Sequence, residues 1–373
     1  MIYLDYSATT PVNDEVIDTY SRVCKEFIGN PNSLHKLGLE AKKLIDASSR
    51  QIANILGIKS SEIIYTSGAS EANNMAIKGV VSKYSNRGNV IVTTHLEHSS
   101  VSEVLRYLEK DGFIIKYVKL DDNGLVDLKD LEKLIIDYDV FFVSIASINS
   151  EMGIRQDLEA ISKVIRKNNK IIFHSDVTQS IGKEIIDFSL LDLASFSAQK
   201  FYGMKGIGCL YKRENLVINP LIHGGKSTTI YRSGTPATPL IASLAKALRL
   251  VYSDFEEKCL KVKKLNEYLV NKLKALDVYI NSNIYSIPNI VNISLKNIKS
   301  EVMLHSLESN DIYISTMTAC SSGDYSESVY AITNDMDRAR RSLRISLSFL
   351  TTKEEIDKFV DILGEQIKKL TFK

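Results

Sequence analysis

Short apolar, β-rich runs alternate with helical patterns through the first two-thirds of the 373-residue chain. The runs fall at Glu62 to Tyr65, Val90 to Thr93, Val140 to Ile145, Lys170 to Phe173, Leu191 to Phe196 and Gly208 to Tyr211. Strands separated by helices predict an α/β fold with a mostly parallel central sheet covered by helices. Several runs end in polar clusters: Thr66-Ser67-Gly68, His95 to Ser99, Asn149-Ser150-Glu151 and Asp176 to Gln179. Open α/β sheets bind ligands beyond the carboxyl ends of their strands, so these clusters should converge on one cleft.

From about Pro239 to Leu276 the pattern is helical with almost no breakers, one long helix or two leading out of the large domain. A smaller α+β C-terminal domain follows. It has a strand near Asn289 to Leu295, a helix near Ser300 to Ser309, strands near Ile312 to Ser315 and Leu343 to Leu347, and a final helix. That helix starts at Thr351 or Thr352, each with a glutamate three residues on, the pattern of a capping box. The chain is too long for one ordinary core. The expected division is a large domain over residues 15–255 and a small one made of 1–14 and 256–373.

With 44% hydrophobic and 25% charged residues, the chain has the composition of a soluble globular protein. Lys and Arg number 47 against 45 Asp and Glu, and a net charge of +2 offers no broad field for direct nucleic-acid binding or an anionic membrane. Met1 to Pro11 holds no Lys or Arg, so no signal peptide is expected, and the longest apolar runs are too short to span a bilayer. Cys24, Cys209, Cys259 and Cys320 form no CxxC pair, which argues against a metal cage and for a reducing, cytoplasmic setting.

Thr66 to Glu71 follows a strand and opens a helix, so its backbone amides suit an anion; an ordinary serine cap at Ser67 or Ser70 is the bland alternative. Asp176 stands at a strand end, where it either partners a cation such as a protonated pyridine nitrogen or caps a turn. Gln179 is a donor to a ring oxygen or faces solvent. Lys200 precedes the glycine-marked turn Gly203 to Gly208, where a desolvated amine becomes nucleophilic; spacing alone does not separate it from Lys205. His98 is placed to stack on a planar ring and shuttle protons, or is a histidine of no function at a helix start. Cys320 lies in a small, polar stretch that suits a thiolate nucleophile, or is an inert buried cysteine. Arg344 carries a planar fork fit for a carboxylate, unless Arg338 to Arg344 is only a solvated face.

In this order the segments resemble the cysteine desulfurases, of the class V aminotransferase branch of pyridoxal-phosphate (PLP) enzymes of fold type I. The resemblance runs nearly the full chain. Its anchors are Tyr3 to Pro11, Gly29 to His35, Thr66 to Asn74, Glu97-His98, Asn149 to Gly153, Asp176 to Gly182, Ser197 to Gly208, Arg232 to Thr235 and Cys320. It implies that Lys200 is the Schiff-base lysine, Asp176 the pyridinium partner and His98 the stacking acid/base. Asn149 and Gln179 would donate near the ring hydroxyl. Ala69, Ser70, Ser197 and Gln199 would hold the phosphate, with Thr235 reaching across a homodimer interface. Arg344, with Asn149, would bind the L-cysteine substrate. Cys320 would receive the sulfur as a persulfide and pass it to an acceptor protein, for iron-sulfur cluster or tRNA-thiolation supply.

The chain departs from the family pattern at several points. Gln199 stands where Ser-x-His-Lys carries histidine, and Gly224 to Tyr231 lacks the third glycine and the His/Gln-Glu-x-Gly residues. Met317-Thr318 replaces Gly-Ser, and Asp324 to Val329 has no proline. Two competing readings are another PLP enzyme (a selenocysteine lyase or an aminotransferase) in which Cys320 is incidental, and a catalytically weakened sulfur-relay partner.

Overall fold

The computed structural model describes residues 1–316 and 324–371. The chain opens with strand β1 (Ile2–Tyr3) and helices α1 (Asp14–Glu26) and α2 (Lys36–Leu56). It then alternates through β2 (Ile63–Thr66), α3 (Ala69–Tyr84), β3 (Val90–Thr93), α4 (Ser99–Lys110), β4 (Ile114–Tyr117) and α5 (Leu128–Asp137). After these come β5 (Val140–Ser144), α6 (Leu158–Ile165), β6 (Ile172–Asp176), β7 (Leu193–Ser197) and β8 (Gly208–Lys212).

Strands β2 to β8 form one sheet in the order β2-β8-β7-β6-β5-β3-β4. Strand β8 runs antiparallel to both neighbours, and the other pairs are parallel. Both faces are covered. Ile63, Tyr65, Val92, Phe173 and Phe196 pack into one core with Leu244 and Leu248, while Ile64, Ile91, Phe142 and Leu193 pack against Met75, Ile77 and Leu105 on the other face. A sheet buried on both sides needs apolar side chains at successive positions, which is why these strands read as runs rather than alternations.

The long helical stretch is two helices, α7 (Thr238–Tyr252) and α8 (Phe255–Leu273), separated where Asp254 takes the left-handed conformation at φ 48°. Then follow β9 (Val278–Ile280), β10 (Ile290–Leu295), α9 (Ser300–Glu308), β11 (Ile312–Tyr313), α10 (Glu327–Thr333), α11 (Met336–Arg340), β12 (Ser342–Ser346) and α12 (Lys353–Thr371). An antiparallel sheet in the order β12-β10-β9 and the parallel pair β1–β11 share a second core of Ile2, Leu4, Leu265, Ile293, Ile345 and Phe359. The N-terminal strand thus packs with the C-terminal third of the chain. Of the two capping threonines, Thr352 does the work: Glu355 N–H donates to its Oγ1 (3.2 Å) and Thr352 N–H to Glu355 Oε2 (2.9 Å).

Two sequence expectations are corrected. Edge strand β4 was not anticipated, because its four residues, Ile-Ile-Lys-Tyr, are half-exposed and carry no clear period. Strands β6 and β7 extend further than their apolar runs, to Asp176 and Ser197, because the polar residues that end them are buried and paired.

Candidate active site

A cavity of about 340 Å³ opens at the carboxyl ends of β2, β3, β5, β6 and β7. Lys200, Asp176, His98, Gln179, Ser197, Gln199, Ala69, Ser70 and Arg344 all line it. These residues are far apart in the chain: all but Arg344 stand at or just beyond strand ends of the large sheet, which brings them together, and Arg344 reaches in from β12 of the other sheet.

Asp176 is the last residue of β6 and is 7% exposed. The Thr178 backbone N–H donates to its Oδ1 (2.9 Å) and Asn73 Nδ2 to its Oδ2 (2.7 Å). Lys200 ends a short 3-10 turn directly after β7, and its Nζ donates to the Ser7 and Ala8 carbonyls at 2.8 and 2.7 Å. Behind it Tyr202 sits at φ 65°, a conformation that strains a bulky residue. Thr10 Oγ1, accepting from Tyr202 N–H at 2.7 Å, and Ser348 Oγ, bonded to the Tyr202 hydroxyl, hold it there.

His98 is the N-cap of α4, where Nδ1 accepts from Ser100 N–H (3.1 Å) and contacts Ser100 Oγ (2.8 Å). Burial is the main cause that pulls its pKa below the usual value, which favours the neutral ring. The neighbouring Glu97 is turned inward: Thr94 Oγ1 (2.7 Å) and Ala146 N–H (3.0 Å) both donate to its Oε1, and its Oε2 has no partner among the described residues. Burial pushes this carboxyl up to about 8.

The first turn of α3 has no serine cap. Its N-cap is Gly68, which has no side chain to accept a hydrogen bond, so the bland capping alternative does not occur. The orphan amides of the first turn stand at the cavity wall with the positive end of the helix dipole. Strand β8 passes close behind: a Cβ on Gly208 would lie 2.5 Å from the Phe196 carbonyl oxygen and 2.7 Å from Gly68 Cα. Glu71 is diverted from the anion position. Although burial disfavours its charge, hydrogen bonds from Arg232 (3.0 Å) and Ser67 N–H (2.7 Å) hold its pKa below the usual carboxylate range.

Arg344 is 1% exposed, not part of a solvated face. Its Nη2 donates to Asp5 Oδ1 (2.9 Å) and Nη1 to the Ser150 carbonyl (3.0 Å), while its buried Nε has no partner among the described residues. Asn149 and Thr235 are not among the residues lining this cavity. Asn149 does not line the cavity: its Nδ2 donates to Leu96 O and Ser328 Oγ (both 2.9 Å), and its Oδ1 accepts from Glu151 and Met152 N–H, so the amide is consumed in bracing the loop after β5. Exposed Thr235 lines a separate cavity with Thr66, Ser67 and Arg232. Cys320 lies outside the described residues.

Four contributors were missed in the sequence. Ser7 and Ala8 supply carbonyls to Lys200, which no side-chain pattern reports. Asn73 is fully buried within α3, and a lone amide on an otherwise apolar helix face was the signal. Lys183 donates to Gln179 Oε1, and Gln179 Nε2 donates to the Ser7 carbonyl (3.0 Å). A carbonyl only accepts, so the Ser7 carbonyl fixes which way the Gln179 amide points. Desolvation, then the nearby charges of Lys200 and Arg344, push Lys183 down to about 7.

The sequence profile of the family described as Aminotransferase class-V matches residues 2–359. A "Cysteine desulfurase IscS" from Dictyoglomus turgidum is 38% identical over 378 residues, covering 99% of this chain and 95% of that protein. A "NifS/IcsS protein homolog" from Lactobacillus delbrueckii subsp. bulgaricus is 38% identical, covering 98% and 97%. Among solved structures, one described as "NIFS-LIKE PROTEIN" superposes with TM-score 0.93 at 36% identity, covering 98% of this chain and 99% of that one. Another, "SspA in complex with cysteine", gives TM-score 0.83 at 31% identity over 94% and 100%. With that sheet, that lysine-centred cavity and these full-length likenesses, the chain belongs to the class V aminotransferase family and, within it, to the cysteine desulfurases.

Proposed function

We propose that this enzyme binds PLP in the Lys200 cavity and converts L-cysteine to L-alanine, leaving the sulfur on Cys320 as a persulfide. The single observation that carries the reading is the convergence of a lysine amine, a buried carboxylate, an imidazole and an uncapped helix N-terminus on one cavity. That set fits the cofactor. The Ala69 and Ser70 amides, with the Ser197 and Gln199 side chains, suit the phosphate; Asp176 suits the ring nitrogen; His98 suits the ring face; Gln179 suits the ring oxygen. Asn149 acts at one remove, by holding the loop that carries Ser150 to Arg344. When bound, PLP supplies the electron sink that makes the substrate Cα–H acidic.

The chain's own groups do the rest. Lys200 would hold the cofactor, and its Nζ would be the base for the substrate Cα proton. Arg344 directs its Nε and Nη groups at the substrate carboxylate. His98 would move a proton at Nε2. Cys320 thiolate attacks the substrate sulfur: the new S–S bond forms as the C–S bond breaks, and the bonding pair stays with carbon, which gains a proton to become alanine. The two sulfurs give up one electron each in forming the S–S bond and the carbon takes up both, so no outside redox partner is needed. Gln199 donates to phosphate as a neutral amide where relatives use histidine.

Three further features belong to the same proposal: a large unit over 15–255 with a small one of 1–14 and 256–373, a homodimer to which Thr235 contributes, and a cytoplasmic setting with a sulfur-acceptor protein. The parental protein with cysteine and a reductant is expected to release alanine and sulfide. Cys320→Ala is expected to keep the yellow colour and lose sulfide release; sulfide at the parental rate from that variant contradicts the role of Cys320.

A further inference from the structure

Two polar side chains beneath His98 have no place in the mechanism above. Asn73 Nδ2 reaches Asp176 Oδ2 at 2.7 Å and Ser100 Oγ at 2.9 Å, and Ser100 Oγ lies 2.8 Å from His98 Nδ1. A continuous hydrogen-bonded line therefore joins the carboxylate at one edge of the cavity to the imidazole at the other.

The direction of each bond follows from chemistry. A carboxylate only accepts, so the Asn73 nitrogen must face Asp176, and its second hydrogen goes to Ser100 Oγ. The amide pays for this orientation with a buried Oδ1 that has no partner among the described residues. Ser100 Oγ, having accepted one hydrogen, has its own to give, and His98 Nδ1 is where it goes. The Ser100 backbone N–H converges on the same nitrogen at 3.1 Å. A nitrogen that accepts from two donors carries no proton. We propose that Asn73 and Ser100 are positioning residues that confine the single proton of His98 to Nε2. The inference rests on the cofactor reading above, which places the His98 ring over PLP.

The line also resists a second proton. Protonating Nδ1 would set its N–H against the Ser100 backbone N–H and would require the Ser100 hydroxyl to turn its own hydrogen away from His98. Burial already opposes the cation; of the surrounding charges, Asp176 at the end of β6 and Glu151 after β5 favour it, while Lys200 after β7 and Arg344 on β12 oppose it. Glu97, the preceding residue, is held neutral at pH 7 by its own burial. His98 therefore begins each cycle as an Nε2–H donor, which leaves the Lys200 amine to act first as base.

The test uses the holoenzyme labelled with ¹⁵N-histidine, without cysteine, observed by long-range ¹H–¹⁵N spectra as a function of pH. The chain has six histidines, and His98→Gln identifies the relevant signals by their loss. The parent is expected to show Nδ1 unprotonated and Nε2 protonated at neutral pH. Ser100→Ala and Asn73→Ala are expected to raise the His98 midpoint by about one unit, a tenfold gain for the cation, and Ser100→Thr to restore it. Ser100 is at the cavity wall, so Ser100→Ala keeps the test decisive should Asn73→Ala fail to fold. A proton on Nδ1 in the parent, or Ser100→Ala titrating with the parent, overturns the proposal. A folded Asn73→Ala that titrates with the parent removes Asn73 from it. Desulfurase failure would be read separately, as absent alanine, and would leave these spectra interpretable.

Discussion

Glu97 shows how one buried side chain can set a pH dependence without touching substrate. Its two donors serve Oε1 only, and burial raises its folded pKa to about 8 from an ordinary value of 4.5. Between those values the folded protein holds a proton that the unfolded chain has lost, so stability is fully present below about pH 4.5 and falls as pH rises toward 8. Glu97→Gln keeps a carbonyl for Thr94 and Ala146 and removes the titration. Denaturant unfolding at about pH 5 and about pH 8 is expected to show the variant gaining on the parent by about 1 kcal/mol or more over that interval, each pKa unit being worth about 1.4 kcal/mol. An unchanged difference would mean that Glu97 is ionised in the folded state. At this scale the sequence was readable where residue type and strand end coincide, as at Asp176, Lys200 and His98. It was silent on Ser7 and Ala8, which act through carbonyls, and misleading at Asn149, whose amide is spent on its own loop.

At the level of elements, the candidate phosphate site depends on how closely β8 approaches the Gly68 turn. Gly208 permits that approach, since any Cβ there meets the Phe196 carbonyl and Gly68 within 2.7 Å. Gly208→Ala is expected to push the first turn of α3 out of line, destabilise the protein by about 1–3 kcal/mol and raise the PLP dissociation constant about tenfold or more, read by titrating the apoenzyme with PLP. Parental affinity would show that the α3 amides do not carry the phosphate. The six apolar runs of the large sheet and the C-terminal helix were legible because burial on both faces, or a capping pair, leaves a local signature. The α7–α8 break was not. A left-handed Asp254 looks like any helical aspartate in sequence, and edge strand β4 has too little buried surface to impose a pattern.

Across the whole molecule, Arg344 on β12 meets the residues beyond the large sheet's strand ends at the cavity, joined to the loop after β5 through the Ser150 carbonyl and held from its own side by the Asp5 ion pair. Arg344 is 1% exposed and Asp5 19%, so removing the carboxylate strands a buried guanidinium. Asp5→Ala is expected to cost roughly 2–4 kcal/mol in denaturant unfolding, somewhat below the ~3–5 kcal/mol of a fully buried pair because Asp5 retains some solvent. A loss under about 1 kcal/mol would mean that the Ser150 carbonyl alone suffices to hold Arg344. Joints of this kind span more than 300 residues and leave no mark on local sequence, whereas the resemblance to a family carries them implicitly. The central claim, that Lys200 and no other lysine anchors the cofactor, is tested most directly by reducing the yellow holoenzyme with borohydride and mapping the modified peptide by mass spectrometry. The account predicts a phosphopyridoxyl group on Lys200 alone; the same group on Lys183 or Lys205, or on no lysine, would contradict it.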